Sequence, residues 1–140
     1  MLTVNDLMTS SPQTITPTAS LREAVALMNA ANNRQLPVLE DGALVGILTD
    51  RDIRLMVNSP LNLDDPVERI HLLEKHTVAD CMTRNPVTIP PDTPIYRAAQ
   101  LLSIYKFGSF PVVENGTLVG IITVTDLLNQ MALQPLDSHY

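Results

Sequence analysis

The chain is poor in aromatic side chains, with no tryptophan, three tyrosines and two phenylalanines among 140 residues. Hydrophobic residues nevertheless make up 45%, so a core has to be assembled from Leu, Ile, Val, Ala and Met. Basic residues are also few: nine Lys and Arg stand scattered among fifteen Asp and Glu, giving a net charge of −6 and a pI near 4.8. That balance argues against a nucleic-acid surface, which needs clustered cations to displace counterions. No apolar run approaches the roughly 20 residues needed to cross a bilayer. Met1 to Asn5 lacks the basic and apolar regions of a signal peptide, so a cytoplasmic location without membrane attachment is expected. The lone cysteine, Cys81, can staple nothing within the chain, and its place in a short apolar turn gives it a packing role. Catalytic constellations are missing too: there is no HExxH, CxxC or P-loop, and no Ser with a paired His and Asp. The expectation is a non-enzyme with no metal site and no required cofactor.

What is present is a repeat. Pro37 to Asp52, PVLEDGALVGILTDRD, returns as PVVENGTLVGIITVTD at Pro111 to Asp126, 74 positions later without insertion or deletion. Carried backwards, the register pairs Thr3–Ile53 with Thr77–Leu127, and 21 of those 51 positions are identical. The chain therefore reads as two copies of one folding unit, each of about fifty residues and marginal alone.

Each copy spells out the same elements. Thr3-Val-Asn-Asp6 and Thr77-Val-Ala-Asp80 cap one helical turn apiece. Pro12 and Pro86 break those turns, and Thr14–Thr16 and Thr88–Pro90 read as short strands. Ser20-Leu-Arg-Glu23 is a capping box opening an amphipathic helix to about Asn32, and Pro94 takes the first-turn position in the second copy. Asp41-Gly42 and Asn115-Gly116 supply the positive φ angles of tight hairpin turns. Gly46 and Gly120 fall inside the second hairpin strand, where a missing side chain is costly unless something approaches the backbone closely. Thr49-Asp50-Arg51-Asp52 and Thr123-Val124-Thr125-Asp126 then hand each strand over to a helix. Between the copies, Asn58-Ser59-Pro60 ends a helix and Asp64-Asp65-Pro66 starts another, on which His71 and His76 read as solvated. The tail from Ala132 is expected to fray.

The ordered set of Met-Thr…Pro…Thr-Ile opening, Pro-Val-x-Glu hairpin and Gly-x-x-Thr-x-x-Asp ending resembles the cystathionine-β-synthase (CBS) domain family, and two such units resemble a CBS pair, or Bateman module. The resemblance covers Val4 to Leu127. It implies an α/β (α+β) fold of tandem CBS-type repeats: two small mixed sheets flanked by helices, pseudo-two-fold symmetric, with one shared core. The repeats would be residues 1–58 and 77–130, joined by a helical connector at 59–76 and followed by a tail at 131–140. It further implies a stand-alone regulatory module binding an adenine nucleotide of the AMP, ADP or ATP type, with S-adenosylmethionine and NAD as further candidates, and signalling to an unknown regulated protein.

In that family each site lies between the repeats and is crossed. One site would place Asp126 on the ribose, Thr123 near the phosphate and Ile121 against the base, with Thr9, Gln13, Asn33, Arg34 and Gln35 from the first copy. Its mirror would use Asp52, Thr49 and Ile47 with Thr83, Val87, Phe107, Gly108 and Ser109. Arg34 faces Gly108 in the repeat alignment and Arg51 faces Thr125, so each site would keep one cation. Phe107 either stacks on a base or fills the mirror cleft. The residues themselves leave a second reading open, because Thr-x-x-Asp also caps a helix with no ligand, as in a structural dimerisation or interaction module. A homodimer is expected in either case, from the apolar helix residues Leu55, Leu127, Leu128 and Met131.

Overall fold

The structure is a computed structural model describing residues 1–57 and 65–133; the expected helix end at Asn58-Ser59-Pro60 and most of the expected tail lie outside the described residues. In chain order the first half contains α1 (Val4–Leu7), β1 (Thr9–Ser10), α2 (Leu21–Ala31), β2 (Gln35–Glu40), β3 (Ala43–Thr49) and α3 (Asp50–Val57). After α4 (Pro66–Lys75) the series returns as α5 (Val78–Cys81), β4 (Thr83–Arg84), α6 (Ile95–Tyr105), β5 (Ser109–Glu114), β6 (Thr117–Thr123) and α7 (Val124–Ala132).

The Asx-Gly turns close both hairpins as expected. Asp41 and Gly42 sit at φ 51° and 81°, Asn115 and Gly116 at 52° and 77°, the left-handed pair that matches strand twist. Gln35 pairs with Thr49 and Ser109 with Thr123, and both hairpins shift register at the same point, Val38/Leu39 and Val112/Val113. Each sheet gains a third antiparallel strand of two residues: β4 joins β3 and β1 joins β6, giving the orders β2-β3-β4 and β1-β6-β5. The opening strand of each repeat is therefore exchanged into the other copy's sheet. The chain accordingly divides into two compact units, residues 12–86 around the first hairpin and residues 1–11 with 87–140 around the second.

The exchanged strands account for the strand glycines. A Cβ on Gly120 would lie 2.5 Å from Met8 Sδ and 2.9 Å from the Thr9 carbonyl oxygen, and one on Gly46 would lie 2.6 Å from Met82 Sδ and 2.9 Å from the Thr83 carbonyl. What approaches each glycine backbone is thus the protein's own opening strand. Thr14–Thr16 and Thr88–Pro90, expected as strands, instead contribute single parallel bridges, Ile15 to Val38 and Ile89 to Val112. Pro12, Pro17, Pro86 and Pro90, within or close to these stretches, lack the N–H groups a longer ladder would use. These bridges make the pairing around each hairpin mixed.

Buried apolar side chains form a cluster in each unit. In the 12–86 unit Leu21, Ala24 and Met28 of α2 pack with Leu36, Val38, Leu48, Ile53 and Val78. In the other, Val4, Ile89, Ala98, Leu102, Phe110, Val112 and Ile122 pack together. Each three-stranded sheet has its own helices to cover it, so each can bury its own apolar face. Pro94 stands at the N-cap of α6, one place before the expected first turn. The connector helix α4 begins as its sequence indicates, with Pro66 at its first position and the Asp65 carboxylate accepting the Val67 N–H at 3.0 Å. Arg22 and Glu74 form an ion pair between α2 and α4. His71 is exposed, whereas His76 is half-buried with Nδ1 3.4 Å from Asp80 Oδ2. Cys81 is half-buried against the 12–86 core. Burial first, then the charges of Asp80 and Asp52, push its thiol pKa up, consistent with a packing role. Ala132, expected to begin the frayed tail, is the last residue of α7.

Candidate functional site

The strand-to-helix junction is the same construction in both units. Thr123 caps α7: its Oγ1 accepts the Asp126 N–H at 3.0 Å, and Asp126 Oδ2 accepts the Thr123 N–H at 2.8 Å. Thr49 and Asp52 repeat the box at the start of α3, with 3.2 and 3.0 Å for the same two bonds. This reciprocal arrangement satisfies two backbone donors that a helix start leaves open. The residue before the next helical N–H is tethered as well, Val124 N–H to the Gly108 carbonyl at 3.1 Å and Asp50 N–H to the Arg34 carbonyl at 3.0 Å. Of the first three N–H groups of α7, the first and third are thereby bonded within the protein, which narrows what the helix end can offer a phosphate. The box uses one carboxylate oxygen of each Asp; the other, Oδ1, accepts no hydrogen bond among the described residues. Asp52 and Asp126 are both half-exposed, so that oxygen is open to an external donor.

The candidate residues gather by unit. Thr9 lies across β1–β6 from Ile121, and Ile121, Thr123 and Asp126 share the unit of Phe107, Gly108, Ser109 and Val87. Thr83 lies across β3–β4 from Ile47, in the unit that also carries Thr49, Arg51, Asp52, Gln13, Asn33, Arg34 and Gln35. The exchange of opening strands thus brings Thr9 to the second copy's Thr-x-x-Asp and Thr83 to the first copy's. Both expected cations, Arg34 and Arg51, belong to the 12–86 unit. Gly108 and Thr125 occupy the corresponding places in the other. Asn33 Oδ1 accepts the Gln35 N–H at 3.2 Å and shapes the link into β2. Phe107 stacks on Tyr105, with centroids 5.3 Å apart, and meets Phe110 edge-on at 5.7 Å, so one of its faces is already covered by the protein. Ser109 is buried, while Thr9, Thr83, Gln13 and Val87 are exposed.

Asn29, Asn32 and Arg54, for which the sequence offered no functional signal, line a cleft together with Asn33 and Arg34. Among the described residues no group of three or more His, Cys, Asp or Glu is placed to hold a metal ion. No described helix is long and apolar enough to cross a membrane.

Two hairpin units that exchange their opening strands, each ending in a capped Thr-x-x-Asp, define a tandem repeat, and comparison with known proteins names its family. The family model for the CBS domain matches residues 4–58 and again 78–133. The chain belongs to the CBS domain family and carries two copies of the domain. A CBS domain-containing protein of Dictyostelium discoideum, whose name is not that of an enzyme, is 38% identical over 137 residues, 95% of this chain and 94% of that one. Among solved structures, CBSX2 in complex with AMP is similar with a TM-score of 0.80 at 28% identity, covering 94% of this chain and 97% of that one. The CBS domain pair of protein MJ0100, in complex with 5′-methylthioadenosine and S-adenosyl-L-methionine, gives the same score, identity and shares.

Proposed function

We propose that this CBS pair is a ligand-sensing module for an adenine nucleotide of the AMP, ADP or ATP type, with no chemistry of its own. One observation carries the reading: both units present the same frame, a half-exposed Asp carboxylate with one oxygen held by the capping box and the other open, beside an exchanged strand threonine. A carboxylate oriented in this way accepts charge-assisted bonds from vicinal ribose hydroxyls. The adenosine-type ligands of the two solved relatives support the same class. Arg34 and Arg51 supply local positive charge for a phosphate in a chain of net charge −6. Self-association into a homodimer belongs to the proposal, because Leu55, Leu128 and Met131 are 69, 57 and 69% exposed. Leu127, expected among them, packs against its unit's core instead.

A second reading has its own observation. The capping boxes are complete without a ligand, as a structural interaction module would require. Calorimetric titration with AMP, ADP, ATP, NAD and S-adenosylmethionine, with melting curves alongside, separates the two. A ligand at a hundred times its dissociation constant adds about 2.7 kcal/mol of stability. Binding that is weakened by Asp126→Asn or Asp52→Asn supports the sensor. No heat and no shift in melting with any of the five leaves the interaction module standing.

A further inference from the structure

Within the 12–86 unit, the end of α2 and the start of α3 enclose a cleft of about 440 Å³. Its floor is apolar, made by Val25 and Met28 of α2 and Ile53 of α3. Its walls are polar: Asn29 and Asn32 come from the end of α2, Asn33 and Arg34 from the link that follows, and Asp50 and Arg54 from α3. The backbone bearing them is tied down. Asn32 takes the left-handed conformation, φ 50° and ψ 46°, with its N–H turned back to the Asn29 and Met28 carbonyls. The Asn33 N–H reaches the Met28 carbonyl at 2.9 Å, and the Asp50 N–H reaches the Arg34 carbonyl at 3.0 Å. Arg54 lies 3.7 Å from the Asp50 carboxylate, close enough to be oriented by its charge and too far for a hydrogen bond. Arg34 makes no ion pair among the described residues.

We infer that this cleft binds a small organic oxyanion, a phosphate or a carboxylate on a compact apolar or sugar body. The two guanidiniums outweigh the single carboxylate, so the cleft carries a formal charge of +1 inside a chain of −6. Guanidinium forks match planar and tetrahedral oxyanions. The Asn amides donate to the lone pairs that remain, and the apolar floor receives the body of the ligand, the usual division of labour in a small-molecule pocket. The fold does not need this polar set. At the corresponding positions of the other unit, 74 residues on, the chain has Ser103, Lys106, Phe107, Gly108, Val124 and Leu128. Asn33 and Arg34 are shared with the nucleotide set inferred from the family resemblance, whereas Asn29, Asn32, Asp50 and Arg54 stand outside it, and Arg54 is the residue that separates the two sites experimentally.

The test is nuclear magnetic resonance of the full chain titrated with inorganic phosphate, glycerol 3-phosphate, citrate and AMP, with sodium chloride at matched ionic strength as control. The expected result is movement of the Asn29, Asn32 and Asn33 amides and the Arg54 guanidinium with at least one oxyanion and not with chloride. Phosphate against citrate tells which acid the cleft prefers. Arg54→Leu, the residue the other unit already carries, and the milder Arg54→Gln should each weaken that binding at least about tenfold, and Arg97→Gln, at an exposed cation of the other unit, should leave it unchanged. The inference is overturned if no oxyanion moves these resonances up to about 10 mM, if chloride reproduces the shifts, or if both Arg54 variants titrate as the parent does. Should AMP move Thr123 and Asp126 alone, the nucleotide reading survives and the cleft does not.

Discussion

The two units share their hairpins almost residue for residue and differ where α2 and α6 run into them. From Met28 to Leu36 no residue matches its counterpart in Leu102 to Phe110. Both stretches nonetheless follow one path, a helix ended by a left-handed residue, Asn32 at φ 50° or Lys106 at φ 58°, and then the first hairpin strand. In the 12–86 unit this path carries amides and a guanidinium around a cleft. In the other it carries three rings in mutual contact, Tyr105 stacked on Phe107 and both edge-on to Phe110. The backbone route is thus set by caps, turns and glycines, and the variable stretch is left free to carry either recognition chemistry or packing.

The largest effect that would sharpen this contrast is in the core. Phe110 is fully buried and anchors the ring cluster, so Phe110→Ala should cost about 3–5 kcal/mol, and its counterpart Leu36→Ala about 2–5 kcal/mol. Leu36→Phe, which imports the other unit's residue without its rings, should overpack and cost about 1–3 kcal/mol. Urea unfolding measures all three; a neutral Leu36→Phe would show that the two stretches are interchangeable. Next come the strand glycines, where the units should behave alike. Gly46→Ala and Gly120→Ala each push a Cβ within 2.9 Å of a backbone carbonyl, at about 1–3 kcal/mol. Adding Met8→Ala should not rescue Gly120→Ala, since the Thr9 carbonyl stays in place, and a full rescue would contradict that account.

Smaller still are the caps. Asp52→Ala and Asp126→Ala each remove the acceptor for a threonine N–H and should cost about 0.5–2 kcal/mol, equally in both units. Melting temperatures of the pair would break the comparison if they diverged. The smallest effect is one of pH. The Thr77 N–H bonded to Asp80 lowers its carboxyl below the ordinary range against a slight opposing desolvation, with help from His76. A depressed folded pKa contributes stability that is present above the unfolded value of about 3.9 and is lost as pH falls through the folded one. The acid limb of thermal stability should therefore be flatter in Asp80→Asn than in the parent. Asp6→Asn, in a box whose neighbour is Leu2 in place of a histidine, is the matched control.

Much of this was legible from residue order. Asp41-Gly42 and Asn115-Gly116 announced the hairpins, and Thr49/Asp52 and Thr123/Asp126 announced the capped helices, because turn and cap chemistry is local. The two-residue strands β1 and β4 carry no periodicity and were hidden, although Gly46 and Gly120 marked the places they would occupy. Proline flanks reduced two expected strands to single bridges. On the site, the Thr-x-x-Asp frame could be read directly. The cleft of Asn29, Asn32 and Arg54 could not, since polar residues at helix ends look like solvated surface until α2 and α3 are brought together.

The exchanged strands also set an order of assembly. As the chain leaves the ribosome, the unit of residues 12–86 has everything it needs once β4 has emerged. Thr9, by contrast, waits for Ile121, 112 positions downstream. Contacts of such long sequence separation close late and slowly. The opening strand β1 is therefore an edge strand that stays unpaired until the distant β6 has been made, whereas β4 finds its partner already folded.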